Sequence, residues 1–138
     1  MMMPRDTNPH GTIFGGVLLS YIDQAGAVGA RRVVMQAGGP PPVLVTVAMD
    51  RIEFKSPVLV GDIVRFFTRL LRFGRTSLRV LVLVEAERGT QFIPVTEAEV
   101  TYVSVTPGLV ERRPVPLLPA KENPDKPASP GAETPEKA

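Results

Sequence analysis

The chain contains no cysteine, which excludes disulfide bridges, thiolate metal sites and a cysteine nucleophile together. Its single histidine, His10, would leave a zinc ion dependent mainly on carboxylates, unlike the nitrogen and sulfur sets that usually hold it, so no metal site is expected. Apolar residues nowhere run unbroken for the roughly 18 needed to cross a membrane. The start, Met1–Asp6, lacks a charged segment leading into an apolar stretch and a cleavage site. A soluble, cytoplasmic protein with no membrane contact is expected. Basic residues never run beyond the doublets Arg31-Arg32 and Arg112-Arg113, and the net charge is only +2, so nucleic acid is not an expected partner.

What is present fits one domain: 138 residues, 43% hydrophobic and 22% charged, enough for a single core. The small basic excess, with a pI near 9.3, could favour an anionic small molecule locally. From Pro114 onward the composition changes. Pro114, Pro116, Pro119, Pro124, Pro127, Pro130 and Pro135 are interspersed with Lys, Glu, Ala and Ser. Prolines deny the backbone a regular ladder, and few apolar groups remain to offset the entropy of ordering. Residues 114–138 are therefore expected to form a disordered tail on a domain of residues 1–113.

Within that domain one helix precedes the strands. Gly15 and Gly16 open it, and Val17, Leu18, Tyr21, Ile22, Ala25 and Val28 recur at the spacing of a buried stripe. An adjoining face carries Gly16, Ser20, Asp23, Ala27 and Ala30. The run Gly38-Gly39-Pro40-Pro41-Pro42 ends the segment. Val43–Asp50 alternates with Val43, Val45, Val47 and Met49 on one face and continues through Ile52–Phe54. Ile63–Phe73 and Ser77–Glu87 suit a hairpin turning at Gly74, and Arg88-Gly89-Thr90 makes the next turn. A last strand over Val95–Val105 places Ala98, Val100 and Tyr102 opposite Glu97, Glu99 and Thr101. The expected class is α+β, four long antiparallel strands on one helix, with Met1–Met3 as the remnant of a shorter first strand. Leu78–Val84 is apolar on both faces, which points to a second copy covering the outer one.

Asp23 is the residue that demands an explanation. A carboxylate inside an otherwise apolar helix loses solvation with no neutralising partner near it in sequence. Backbone N–H groups at a helix start are unpaired and carry the positive end of its dipole, so those of Gly15 and Gly16 can donate to an oxyanion. Asn8 offers a donor and an acceptor, although before Pro9 the local chemistry favours a turn residue or helix-entry cap over a catalytic one. His10 belongs to the loop.

Three segments resemble the hotdog-fold acyl-CoA thioesterases, in the branch of the brain-type acyl-CoA hydrolases and the YciA-like enzymes. They are Met3–Asn8 through Phe14-Gly15-Gly16 with Asp23; Val45–Asp50 through Phe54-Lys55-Ser56-Pro57 and Val60-Gly61-Asp62; and Gly74-Arg75-Thr76-Ser77. The likeness spans residues 1–113. It implies a long helix in a curved antiparallel sheet, and a double-hotdog homodimer that assembles further as a trimer of dimers, a hexamer. It also implies active sites at the dimer interface, Asp23 as the catalytic carboxylate, Asn8 facing a site completed by the other subunit, and coenzyme A as the carrier. The substrate would then be acyl-CoA, as in fatty acid metabolism, with no cofactor, since coenzyme A is part of the substrate. The chain departs from the pattern in a shortened first strand and in the tail after Arg113.

Thioester hydrolysis by Asp23 has two forms, attack on the carbonyl or removal of a proton from water. Ionisation at neutral pH favours the first, while the second asks for apolar surroundings that make the carboxylate more basic. Asn8 would orient water or the carbonyl. Arg75, Thr76 and Ser77, and more weakly Lys55 and Ser56, are candidates for the phosphates or pantetheine arm, because arginine presents a fixed fork of donors to phosphate. A non-catalytic acyl-CoA sensor using the same cavity is the alternative from another class. A hotdog enoyl-CoA hydratase or dehydratase is less favoured, because the helix carries no histidine to move protons.

Overall fold

The computed structural model describes residues 1–13, 15–108 and 112–118. After a 3-10 turn at Pro4–Asp6 come one helix, α1 (Gly15–Gln36), and four strands: β1 (Leu44–Phe54), β2 (Ile63–Phe73), β3 (Ser77–Arg88) and β4 (Gln91–Ser104). Every pairing is antiparallel and the order is β1-β4-β3-β2, which leaves β1 and β2 as the edges. The expected succession of one helix and four strands is what forms.

α1 lies against one face of the sheet, but its seam differs from the expected stripe. Leu18, Ile22, Gly26, Ala30 and Val34 are buried at a strict four-residue spacing, whereas Tyr21 and Val28 are 40% and 59% exposed. The reason is close approach. A Cβ at Gly26 would overlap the Tyr102 hydroxyl, and one at Gly29 would overlap the Thr68 hydroxyl, so the helix settles on its small residues. Opposite them, Leu78, Val80, Val82, Val84, Ala98, Val100 and Tyr102 point inward and are buried, in line with the alternation expected for β3 and β4.

β1 does not keep the expected alternation. Its register against β4 shifts between Thr46 and Ala48 and again between Asp50 and Glu53, where Arg51 takes a positive φ of 51°. Each extra residue exchanges the faces. Leu44, Met49 and Ile52 pack on the core in consequence, and Val47 is 55% exposed. β4 begins at Gln91 rather than Val95. Pro94 is tolerated inside it because it lies at the register shift opposite Glu85, beyond the last β1 partner, so its missing N–H costs no pairing on that side.

The outer face of β3 is less apolar than expected. Arg79 there meets Asp50 at 2.6 Å and Glu99 at 2.9 Å. Leu83, Phe67 and Ile63 nonetheless remain more than a third exposed beside it. The remnant first strand is a pair of backbone bonds, from Met2 N–H to the Asp62 carbonyl (3.0 Å) and from Gly61 N–H to the Met2 carbonyl (2.9 Å). At the other end, the boundary expected after Arg113 falls inside ordered structure. Val115 N–H bonds the Ser104 carbonyl, Leu117 N–H bonds the Arg75 carbonyl, and the Leu117 side chain is buried. The rest of the expected tail, residues 119–138, lies outside the described residues.

Candidate active site

Asp23 is partly buried two turns into α1 and is not alone. The Thr46 hydroxyl of β1 donates to its Oδ1 at 2.6 Å. The Tyr102 hydroxyl of β4 donates to its backbone carbonyl at 2.7 Å and lies 3.3 Å from Oδ1. Thr46 and Tyr102 are partners in the β1–β4 register, so the sheet delivers two hydroxyls side by side beneath one helical residue. Burial, then the Asp23 charge and the hydrogen bond to it, push the Tyr102 phenol well above its ordinary value of 10.0, which keeps it a donor at any physiological pH. Among the described residues no donor is bonded to Oδ2 of Asp23.

Sequence reasoning missed Thr46 and Tyr102. The available signal was a phenol on the inward face of β4 among Ala98 and Val100, since a buried hydroxyl requires an acceptor.

Asn8 is used within its own loop. Its Oδ1 accepts from the His10 and Thr12 amides at 2.9 and 3.2 Å, and its Nδ2 donates to the Thr12 hydroxyl at 2.9 Å. This closes the turn that carries His10, an exposed residue. Within one chain Asn8 makes no hydrogen bond to Asp23.

Gly15 and Gly16 are the first residues of α1, and no acceptor among the described residues is bonded to their N–H groups. Beside them runs an open groove of about 370 Å³ lined by Ile13, Gly15, Leu18, Phe54, Lys55, Ser56, Pro57 and Val58. Lys55 and Ser56 thus stand where the helix amides open. The groove wall is pinned from behind. Asp62, 3% exposed, takes two bonds from Arg88 (2.6 and 3.0 Å) and one from the Leu59 amide (2.9 Å), while Arg88 also donates to the Pro57 carbonyl at 3.2 Å. The Arg88 hydrogen bond holds the Asp62 carboxyl below its ordinary value, against the opposing effect of burial.

Arg75, Thr76 and Ser77 sit elsewhere. They form the β2–β3 turn, fixed by bonds from Gly74 N–H to the Ser77 carbonyl and from Ser104 N–H to the Thr76 carbonyl, each 2.8 Å. Ser77 pairs near Val103 and Leu44, whereas the groove lies at Phe54, the other end of β1. One chain therefore does not bring the turn to the groove. No group of three or more metal-ligating side chains is found among the described residues. No described helix is long and apolar enough to cross a membrane.

Residues 10–93 match the thioesterase superfamily. The acyl-CoA thioester hydrolase YciA of Salmonella typhimurium is 37% identical over 122 residues, covering 85% of this chain and 86% of that one. A hexameric hotdog fold thioesterase of Campylobacter jejuni superposes with a TM-score of 0.73 at 44% identity, over 84% of each chain. The hexameric broad specificity acyl-coenzyme A thioesterase HI0827, solved as a variant with one aspartate replaced by alanine, superposes with a TM-score of 0.75 at 30% identity, over 90% of this chain and 86% of that one. On the match to the family and on the shared arrangement of one helix against a four-stranded antiparallel sheet, the chain belongs to the thioesterase superfamily and has the hotdog fold.

Proposed function

We propose that this protein hydrolyses the thioester of acyl-CoA to a free acid and coenzyme A, with Asp23 as its working carboxylate. The observation that carries this is the carboxylate itself, tied by Thr46 at Oδ1 and without a donor at Oδ2 among the described residues, on the same helix whose two opening glycine amides meet no acceptor among those residues. A group so held is preorganised either to attack the carbonyl or to take a proton from water. Incorporation of labelled oxygen into the protein during a single turnover separates the two.

Geometry supports a site shared between subunits. Gly15 and Asp23 are eight residues apart, about 12 Å along a helix at 1.5 Å per residue. Reacting atoms need to stand about 3–3.5 Å apart. The amides and carboxylate of one helix thus do not converge on one carbonyl carbon, and two copies supply them in complementary halves. Asp23 of one copy then meets Gly15 and Gly16 of another, with Asn8 orienting the water or the carbonyl from its stiffened loop. The same pairing would let Arg75, Thr76 and Ser77 of one copy join Lys55 and Ser56 of another along the nucleotide and pantetheine arm. The open edge of β1 presents unpaired backbone groups for such a homodimer. Hexamers among its structural relatives favour three such dimers. In the cell, the activity would belong to the cytoplasm.

Thiol release from acyl-CoAs of increasing length tests the assignment and finds the preferred chain. Asp23→Ala is expected to abolish release while the oligomer persists by light scattering. Undiminished turnover in that variant removes Asp23 from the chemistry, and tight acyl-CoA binding without release would make the protein a sensor.

A further inference from the structure

Tyr102 is a fully buried phenol whose hydroxyl reaches a helix rather than a loop or a water-lined edge. It can do so only because position 26 has no side chain, since a Cβ there would overlap the hydroxyl and crowd the ring. The phenol has one proton and two acceptors within reach, the Asp23 carbonyl at 2.7 Å and Oδ1 at 3.3 Å, and the shorter contact makes the backbone the principal acceptor. Thr46, its partner across the β1–β4 ladder, holds Oδ1 at 2.6 Å. One strand therefore grips the backbone of residue 23 and its neighbour grips one carboxylate oxygen.

Resting on the thioesterase reading above, we propose that Tyr102, seated in the space left by Gly26, is a positioning residue for Asp23. It fixes residue 23 against the sheet, so that Thr46 anchors Oδ1 and Oδ2 is the oxygen presented to the reaction. Tyr102 acts through the helix backbone and stays underneath it, on the side of the core. Gly26 is part of the same device, because any larger residue there pushes the phenol off its acceptor. This accounts for a hydroxyl in the apolar centre of the sheet, and it gives a second reason for the mid-helix glycine that close packing on Tyr102 and Val82 already requires, although glycine there costs about 1 kcal/mol relative to alanine.

The test compares the whole protein with Tyr102→Phe, Gly26→Ala and the double variant, by thiol release from its best acyl-CoA, by melting temperature and by a crystal structure of Tyr102→Phe. The phenylalanine ring keeps the packing and removes only the donor. In Tyr102→Phe, kcat is expected to fall about 10- to 100-fold, the scale of a misplaced reacting group, while KM stays within about twofold. Gly26→Ala should give a similar loss, and combining the two should cost little more than either alone, because both break one tie. Wild-type kcat in Tyr102→Phe overturns the inference, and so do losses that add in full. If the unmodified protein releases no thiol from any acyl-CoA, the thioesterase reading falls and the crystal structure decides the positioning role on its own. A carboxylate moved away from Thr46 supports that role, and one still bonded to it overturns it.

Discussion

The Thr46 hydroxyl and the Asp23 carboxylate, 23 residues apart in the chain, meet at 2.6 Å across the interface of helix and sheet. Thr46 shares a face with Leu44 ahead of the bulge, and the extra residue then lets Met49 return to that same side.

Thr46→Val is expected to keep the shape of β1 and lose the donor to Oδ1. Turnover should drop about tenfold, the equivalent of about 1.4 kcal/mol of transition-state stabilisation, and Thr46→Ser should restore most of it. Equal kcat in all three proteins would detach this hydroxyl from the chemistry.

Placing a branched side chain at the helix start probes the amides. Gly16→Val narrows the approach to the N–H groups of Gly15 and Gly16, and kcat is expected to fall by about 10²- to 10³-fold, the scale of losing one oxyanion donor. Circular dichroism should report an unchanged helix content, which ties the loss to access rather than folding.

Asp62 and Arg88 make a prediction about acid stability. The folded-state carboxyl of Asp62 is lowered from 3.8, so its contribution to stability is present above that value and is lost as the pH falls through the folded value beneath it. Asp62→Asn should lower the unfolding free energy at neutral pH by about 1.5–3 kcal/mol, the range for hydrogen bonds to charged groups. The gap between the two proteins should narrow below pH 3.8. Denaturant titrations at several pH values check both parts, and a gap that widens in acid would contradict the assignment.

Leu117 tests whether the segment after Arg113 belongs to the domain. Its side chain is 1% exposed, and Leu117→Ala is expected to destabilise by about 2–5 kcal/mol, as for other buried leucines. A chain ending at Arg113 should melt lower for the same reason. Unchanged melting in both would return this stretch to the tail.

The local pattern alone was enough to identify one helix, the two hairpins and the inward faces of β3 and β4, because periodicities of two and of three to four report directly on which side chains share a face. The residues of the helix start and Asp23 could be singled out in the same way, as could the family, since an isolated carboxylate and paired glycines are unusual in themselves. Three things were decided only by the assembled fold. The seam of α1 went to Gly26 and Ala30 rather than to Tyr21 and Val28, because closeness of approach outweighed side-chain size. The faces of β1 were set by bulges, which depend on the register against β4 and leave no mark in a single strand's alternation. The partners of Asp23 were decided last: Thr46 and Tyr102 come from the first and last strands, and hydrogen bonds between residues so distant in sequence exist only once the sheet has brought β1 and β4 together.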